Sequence, residues 1–288
     1  MLKVLKQAKS AFSLLSADEI RKQAEIPLHF GLVADSSGAY AEMEEFLVPS
    51  TLPRPEWRRR MCQVHRANDA DVPANVDIVL YEPGLPCPAG SYTFYRGHPG
   101  VTCAEILKDK TDVDLALGRQ FLPFRRPVVE RIIQMVSQEN ALFAVATALP
   151  NVVPNLIEFP WVFGEFASDT AFLTVNQARM AFQIAAACGK QVGLGKQKGA
   201  MLTIAAGAFG WRALARELVG HIPLGGGLIP KGAIAYAGTY LAGKGLEYLH
   251  VHDGAPNAAQ RKQLYREGLE RGRSFAKTVH LGARDRQD

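Results

Sequence analysis

Residues 141–247 are poor in charge, rich in small and apolar side chains, and punctuated by Pro and Gly; they open ALFAVATALPNVVPNLIEFPWVFGEF. An ordinary surface element alternates polar with apolar positions, because one of its faces is wet. A block this long without that alternation belongs inside a helical bundle or against a membrane. The polar residues embedded in it stand out for the same reason: Asn155, and Thr174, Asn176 and Gln177 of the run TVNQ. A buried amide left unpaired costs about 1–3 kcal/mol. These side chains are therefore expected to bond neighbouring backbone and fix helix register, or else to reach a polar group on a partner domain; the first is the commoner outcome for a buried amide. The block offers no window of 18 or more clean apolar residues, the length a spanning helix requires. Its best candidate, residues 141–163, is interrupted by Pro150, Pro154, Pro160 and Glu158. It is expected to pack within protein.

With 288 residues and 48% hydrophobic content, the chain can build one large domain or two medium ones. The net charge of +5 is too small to argue for nucleic acid and is compatible with an anionic membrane surface. Most of the excess lies at the C-terminal end, where Arg261, Lys262, Arg266, Arg271, Arg273, Lys277, Arg284 and Arg286 outnumber the acids. A smaller excess lies at the N-terminus. Cys62, Cys87, Cys103 and Cys188 show no metal-ligand spacing, and no secretory signal is recognisable. They read as reduced thiols of a cytoplasmic protein. Neither a metal nor a cofactor is expected.

Along the chain, residues 1–15 read as an amphipathic helix, with Val4, Leu5, Ala8, Ala11, Phe12 and Leu15 on one face and Lys3, Lys6 and Lys9 opposite. Those lysines could meet a membrane surface, although a helix docked on its own domain is the blander and favoured reading. Ser16 to Glu19 forms a capping box that starts a short helix stopped by Pro27. Residues 28–34 (LHFGLVA) and 76–81 (VDIVLY) read as strands, each running into a turn, with a helix over 41–47 and another opened by Thr102 to Glu105. From Pro127, taken as a helix start, only helices are expected: to Ala148, over 161–188 with Gly189 as cap, over 197–219, over 228–249, and a basic one over 257–278. Gly232, Ala235, Gly238, Ala242 and Gly245 form a small-residue stripe that lets helices approach closely. The fold class is α+β or α/β: a small N-terminal α/β layer followed by a larger all-α bundle. The organisation reads as amphipathic helices over 1–26, the α/β part over 27–126, the apolar helical domain over 127–250, and a basic helix and tail over 251–288.

Several ordered blocks carry a resemblance. ALPNVVPN, SDTAFLTVNQARM, IAAACGK, the Arg-Glu-Leu of WRALARELVGHIP and the KGAIAYAGTYLAGKG run together look like the domain of unknown function 697, over about residues 127–250. That family is helical and bacterial, and often follows a GTPase domain similar to the Era-like group. The resemblance implies that the front part is a GTPase-like layer, and its machinery is then degenerate. A phosphate-cradling G-x-x-x-x-G-K-[ST] loop reads Ala34, Ala39, Tyr40 and Ala41 at its four defining positions. The Asp-x-x-Gly motif reads Tyr81-Glu82-Pro83-Gly84. No base-reading Asn/Thr-Lys-x-Asp motif follows. Equally open is an unrelated small α/β layer with an ordinary Gly38 turn.

Other chemistry is weaker. Ala34-Asp35-Ser36-Ser37-Gly38 resembles a relaxed nucleophile elbow, with His65, His98 or His221 as a base in principle. The pair His250 and His252 with Asp253 could bind a metal, but a cationic helix end is the simpler account. Arg58-Arg59-Arg60 beside Trp57 could grip a phosphate or an acidic partner, although such runs usually form a solvated face. The sequence thus points to a non-catalytic adaptor or regulatory protein, cytoplasmic and peripheral at the inner membrane. It would work with an unidentified protein partner and not with nucleic acid. The alternatives are a divergent GTP-binding or GTP-hydrolysing protein, a serine hydrolase and a membrane-inserting bundle.

Overall fold

The computed structural model describes residues 17–67, 69, 73, 75–146, 169–193, 228–251 and 254–284. The architecture is α+β, a small parallel sheet near the N-terminus followed by a larger helical region. The chain divides into two compact units, one of residues 18–130 with 186–190, the other of the remaining residues. Two helices cross the division, α6 after Glu130 and α7 after Ala185.

In chain order the α/β unit contains α1 (Ala17–Ala24), β1 (Phe30–Val33), α2 (Ser37–Leu47), α3 (Arg54–Met61), β2 (Val64–Arg66), β3 (Ile78–Tyr81), β4 (Tyr92–Thr93), α4 (Pro99–Asp109), a 3₁₀ turn (Thr111–Val113) and α5 (Asp114–Gln120). The sheet is fully parallel in the order β2-β1-β3-β4. Phe30 stands opposite Val64 and Ile78, and Leu80 opposite Tyr92. Central β1 turns Phe30 and Leu32, both fully buried, to one face, while on the other Gly31 is buried and Val33 half-buried. Phe30 lies edge-on to Phe121 with ring centroids 4.6 Å apart. Phe124 extends the aromatic core to Phe46, and Phe46 to Phe94.

The two strands expected from the sequence are present but shorter than expected, over Phe30–Val33 and Ile78–Tyr81. β2 and β4, together with α3 and α5, form where no element was expected. Thr102 does not open a helix: α4 begins at Pro99, and the Thr102 hydroxyl accepts from the Tyr95 amide and donates to the Thr93 carbonyl. The threonine thus ties β4 to α4. Pro127 likewise sits inside α6 (Leu122–Ala146) and not at its start. A proline there cannot donate to the carbonyl four residues back. That carbonyl, on Pro123, accepts from the buried Cys103 thiol at 3.7 Å.

The helical unit contains the rest of α6 and α7 (Asp169–Ala187), with α8 (Leu228–Val251) and α9 (Ala258–Arg284). Gly189 follows α7 at φ +73, the left-handed cap expected of it. α8 and α9 pack along each other around Ala233, Ala237, Leu241, Tyr265 and Leu269. Glycines set how closely the helices approach. A Cβ on Gly272 would come 2.7 Å from Tyr236 Cβ and 2.9 Å from the Ala233 carbonyl, and one on Gly243 2.8 Å from Ile133. The Tyr240 hydroxyl donates to Glu267 at 2.8 Å, and Arg271 holds the same carboxylate while lying over the Tyr240 ring. Among the described residues no helix is long and apolar enough to cross a membrane. The expected helix over 197–219, and most of the proline-broken segment 141–163, lie outside the described residues.

Candidate functional site

In an open parallel sheet, ligands bind beyond the carboxyl ends of the strands where the strand order reverses. Here that point lies between β1 and β3, so the crevice is framed by Ala34 to Gly38 on one side and Glu82 to Gly84 on the other. The protein's own groups already take two of the loop's amides. The Asp35 amide donates to the Glu82 carboxylate at 2.9 Å, and the Glu82 amide to the Val33 carbonyl. Ser36 caps α2, its hydroxyl accepting from the Ala39 amide at 3.1 Å. Tyr40, at the position where a phosphate loop carries its lysine, is only 8% exposed and lies beneath the Arg66 guanidinium. Arg66 in turn makes a forked pair with Glu44. The crevice therefore presents the Glu82 carboxylate, held on the Asp35 amide, where a nucleotide's phosphates would need cations.

The nucleophile-elbow reading loses its base in the same geometry. His65 stands level with Gly31 on the sheet, five residues before Ser36 and more than about 10 Å down the strand direction. There it meets the His29 ring, Nδ1 to Nε2, at 3.0 Å. Burial, then the neighbouring His29, hold the His65 pKa below its ordinary value. His98 is exposed before α4, and His221 lies outside the described residues. So do His252 and Asp253, and no metal-binding group of side chains forms among the described residues.

The Arg58-Arg59-Arg60 run lies on α3 and is not a uniform solvated face. Arg58 and Arg59 are exposed, but Arg60 is turned inward and only 5% exposed. One Arg60 terminal nitrogen donates to Glu56 at 2.5 Å, one helical turn back; the other, Nη1, is buried with no partner. Burial lowers the Arg60 pKa, Glu56 opposes that, and nearby Arg125 adds to it. Arg60 forms part of the wall of a half-open cleft of about 520 Å³ within the α/β unit. Arg59, Arg119 and Arg125 line it too, against Glu25 and Glu56. Its remaining polar groups are mostly committed. Gln120 is locked between the Ile26 carbonyl, the Leu28 amide and Gln63. Arg119 donates to the Ala186 and Lys190 carbonyls and stands 3.6 Å from Glu25. Arg125 has only a long Nε bond, 3.4 Å, to the Gly118 carbonyl.

In the helical unit Asn176 is buried, as the sequence suggested, but it does not bond neighbouring backbone. Its amide donates to Asn140 at 2.9 Å and to Glu139 at 3.0 Å, both on α6, and Asn140 passes its own amide to Thr239 of α8 at 2.8 Å. Thr239 closes the chain on the Ala235 carbonyl. Three helices are thereby pinned through one buried polar line. Gln177 is half-buried beside it. Thr174 lies on α7, its side chain outside the described residues, as are Asn155, Lys3, Lys6 and Lys9.

No family model, curated protein or solved structure matches this chain.

Proposed function

We propose that this protein is a non-catalytic adaptor or regulator of bacterial type, cytoplasmic and peripheral at an anionic membrane surface. Its front part is a GTPase-like layer that no longer handles nucleotide. The observation that carries this reading is the Glu82 carboxylate seated on the Asp35 amide at the strand switch point. A phosphate cradle works by turning free backbone N–H groups and a lysine toward the anion. Here a carboxylate takes an amide of that loop, Ser36 takes another, and buried Tyr40 stands in the lysine's place. The adaptor role is supported by what remains: an apolar bundle fixed by internal polar bonds and a cationic charge excess at both chain ends. A membrane-inserting bundle finds no support among the described helices.

Calorimetric titration of the full chain with GTP or ATP and Mg²⁺ tests the reading. No Mg²⁺-dependent binding at micromolar nucleotide is expected. Micromolar, Mg²⁺-dependent binding that Tyr40→Ala or Gly38→Val abolishes would overturn it in favour of a divergent GTPase.

A further inference from the structure

Arg60 is placed at a cost that the helix it sits on does not require. A basic residue in the last turn of a helix gains from the helix dipole, but Arg58 and Arg59 supply that from solvent. Burying a guanidinium with one N–H edge unpaired is costly, and an apolar side chain would avoid the cost. The second cation of the group, Arg125, lies close enough to raise that cost. Two like charges held together in a cleft wall are relieved by an anion between them. The lining carries four arginines and two glutamates, a formal excess of two positive charges. Glu56 neutralises one edge of Arg60 and leaves Nη1 over, while Glu25 is drawn to Arg119.

We propose that this cleft binds a phosphate monoester. The planar guanidinium fork matches a phosphoryl group, and a monoester carries a charge of about −1.5 to −2 at neutral pH. That matches the excess of two, which a single carboxylate or a phosphodiester would leave half unmet. The volume, about 520 Å³, exceeds a bare phosphate and falls in the usual range for small-molecule sites. Arg125 is the contact residue, and Arg60, whose Nη1 is closed off from solvent, reaches the phosphoryl group only as its internal competitor Glu56 gives way. The phosphoryl group belongs either to a free metabolite or to a lipid headgroup; the shared chemistry is the dianionic monoester. The site is separate from the switch-point crevice, and its occupation needs no Mg²⁺.

The test is calorimetry and thermal melting of the full chain with inorganic phosphate, glycerol phosphate and, as a monoanionic control, dimethyl phosphate at matched ionic strength. Phosphate and glycerol phosphate should bind saturably at one site and raise Tm, and dimethyl phosphate should not. Arg60 is too deeply buried for Arg60→Gln to separate folding from binding, so Arg125→Gln and Glu56→Gln carry the result. Arg125→Gln should weaken binding at least about tenfold, the loss of one charge-assisted hydrogen bond. Glu56→Gln should tighten it several-fold by removing the competitor. Vesicles separate the sources. A headgroup ligand predicts preference for phosphatidic acid over phosphatidylglycerol that Arg125→Gln erases; a free metabolite predicts equal binding to both lipids alongside the soluble titration. Failure to prefer the monoester in either format, binding unchanged by Arg125→Gln, or equal weakening in both variants would overturn the proposal.

Discussion

At the scale of single residues, environment decides chemistry that residue type leaves open. The bond between the His29 and His65 rings needs one nitrogen to donate and the other to accept, so it cannot survive protonation of both. With the His65 pKa lowered in the fold, chiefly by burial and next by His29, and only opposed by Asp69, the unfolded chain takes up the proton first. Stability from this pair is therefore fully present above the ordinary histidine pKa of about 6.5 and falls as pH drops below it toward the depressed native value. Urea midpoints at pH 7.5 and 5.5 should diverge more for the native protein than for His65→Gln; parallel losses would refute the assignment. Cysteines divide the same way. Burial pushes the Cys103 thiol up to about 12, while Cys62 and Cys87 are exposed. A thiol reagent at pH 8 should modify two cysteines quickly, Cys62 and Cys87, with Cys103 reacting only on unfolding. Mass mapping of the labelled peptides checks it. Arg60 was hidden from sequence reading because a triple arginine looks uniformly solvated. Only the helix phase of α3, which pairs position 60 with 56 and separates it from 58 and 59, turns one of the three inward.

At the scale of elements, length and burial determined what could be read. β1 and β3 announce themselves as apolar runs because one face of each is fully buried and the other largely shielded. β2, three residues long, and β4, two, are strands only because β1 and β3 offer them backbone partners. No local pattern could encode that. The polar line was half legible: Asn176 was recognisable as a buried amide, but its partner Asn140 is 36 residues away and Asn140 and Thr239 are 99 apart, distances over which sequence periodicity is silent. Helix packing yields a sharper prediction. Alanine normally gains about 0.8–1.0 kcal/mol over glycine inside a helix. At Gly272 the added methyl would meet backbone of Ala233 at 2.9 Å, which cannot swing aside, so Gly272→Ala should instead lose about 1–3 kcal/mol. Gly100→Ala, in α4 with open space around it, should be neutral or slightly stabilising. Chemical denaturation of the two variants measures the opposite signs; a stabilised Gly272→Ala would mean that α8 and α9 do not approach this closely.

At the scale of the whole molecule, the α+β layout was legible from the change of periodicity along the chain, whereas the switch-point geometry needed the strand order. Charge is the property that belongs to this scale. If the protein works at a membrane through its ends, binding to anionic vesicles should weaken sharply with salt and vanish on neutral lipid, since each lysine or arginine near the surface contributes about 1 kcal/mol within a Debye length of roughly 8 Å. Replacing Lys3, Lys6 and Lys9 together by Glu should reduce flotation while leaving the circular dichroism spectrum unchanged. Flotation indifferent to both salt and these substitutions would mean that the apolar helices insert instead.

The brevity of the outer strands has one more consequence. A sheet edge recruits another chain by offering it a row of unpaired amides and carbonyls, and the longer and flatter that row, the better the template. β2 and β4, the two edges, expose rows of three and two residues. Rows that short cannot seed a fifth strand of useful length. The sheet is closed to growth from either side: to cross-strand aggregation as the chain emerges and folds, and to partners that dock as extended peptides. Among the described residues, neither sheet edge is long enough to hold a partner as an added strand of useful length.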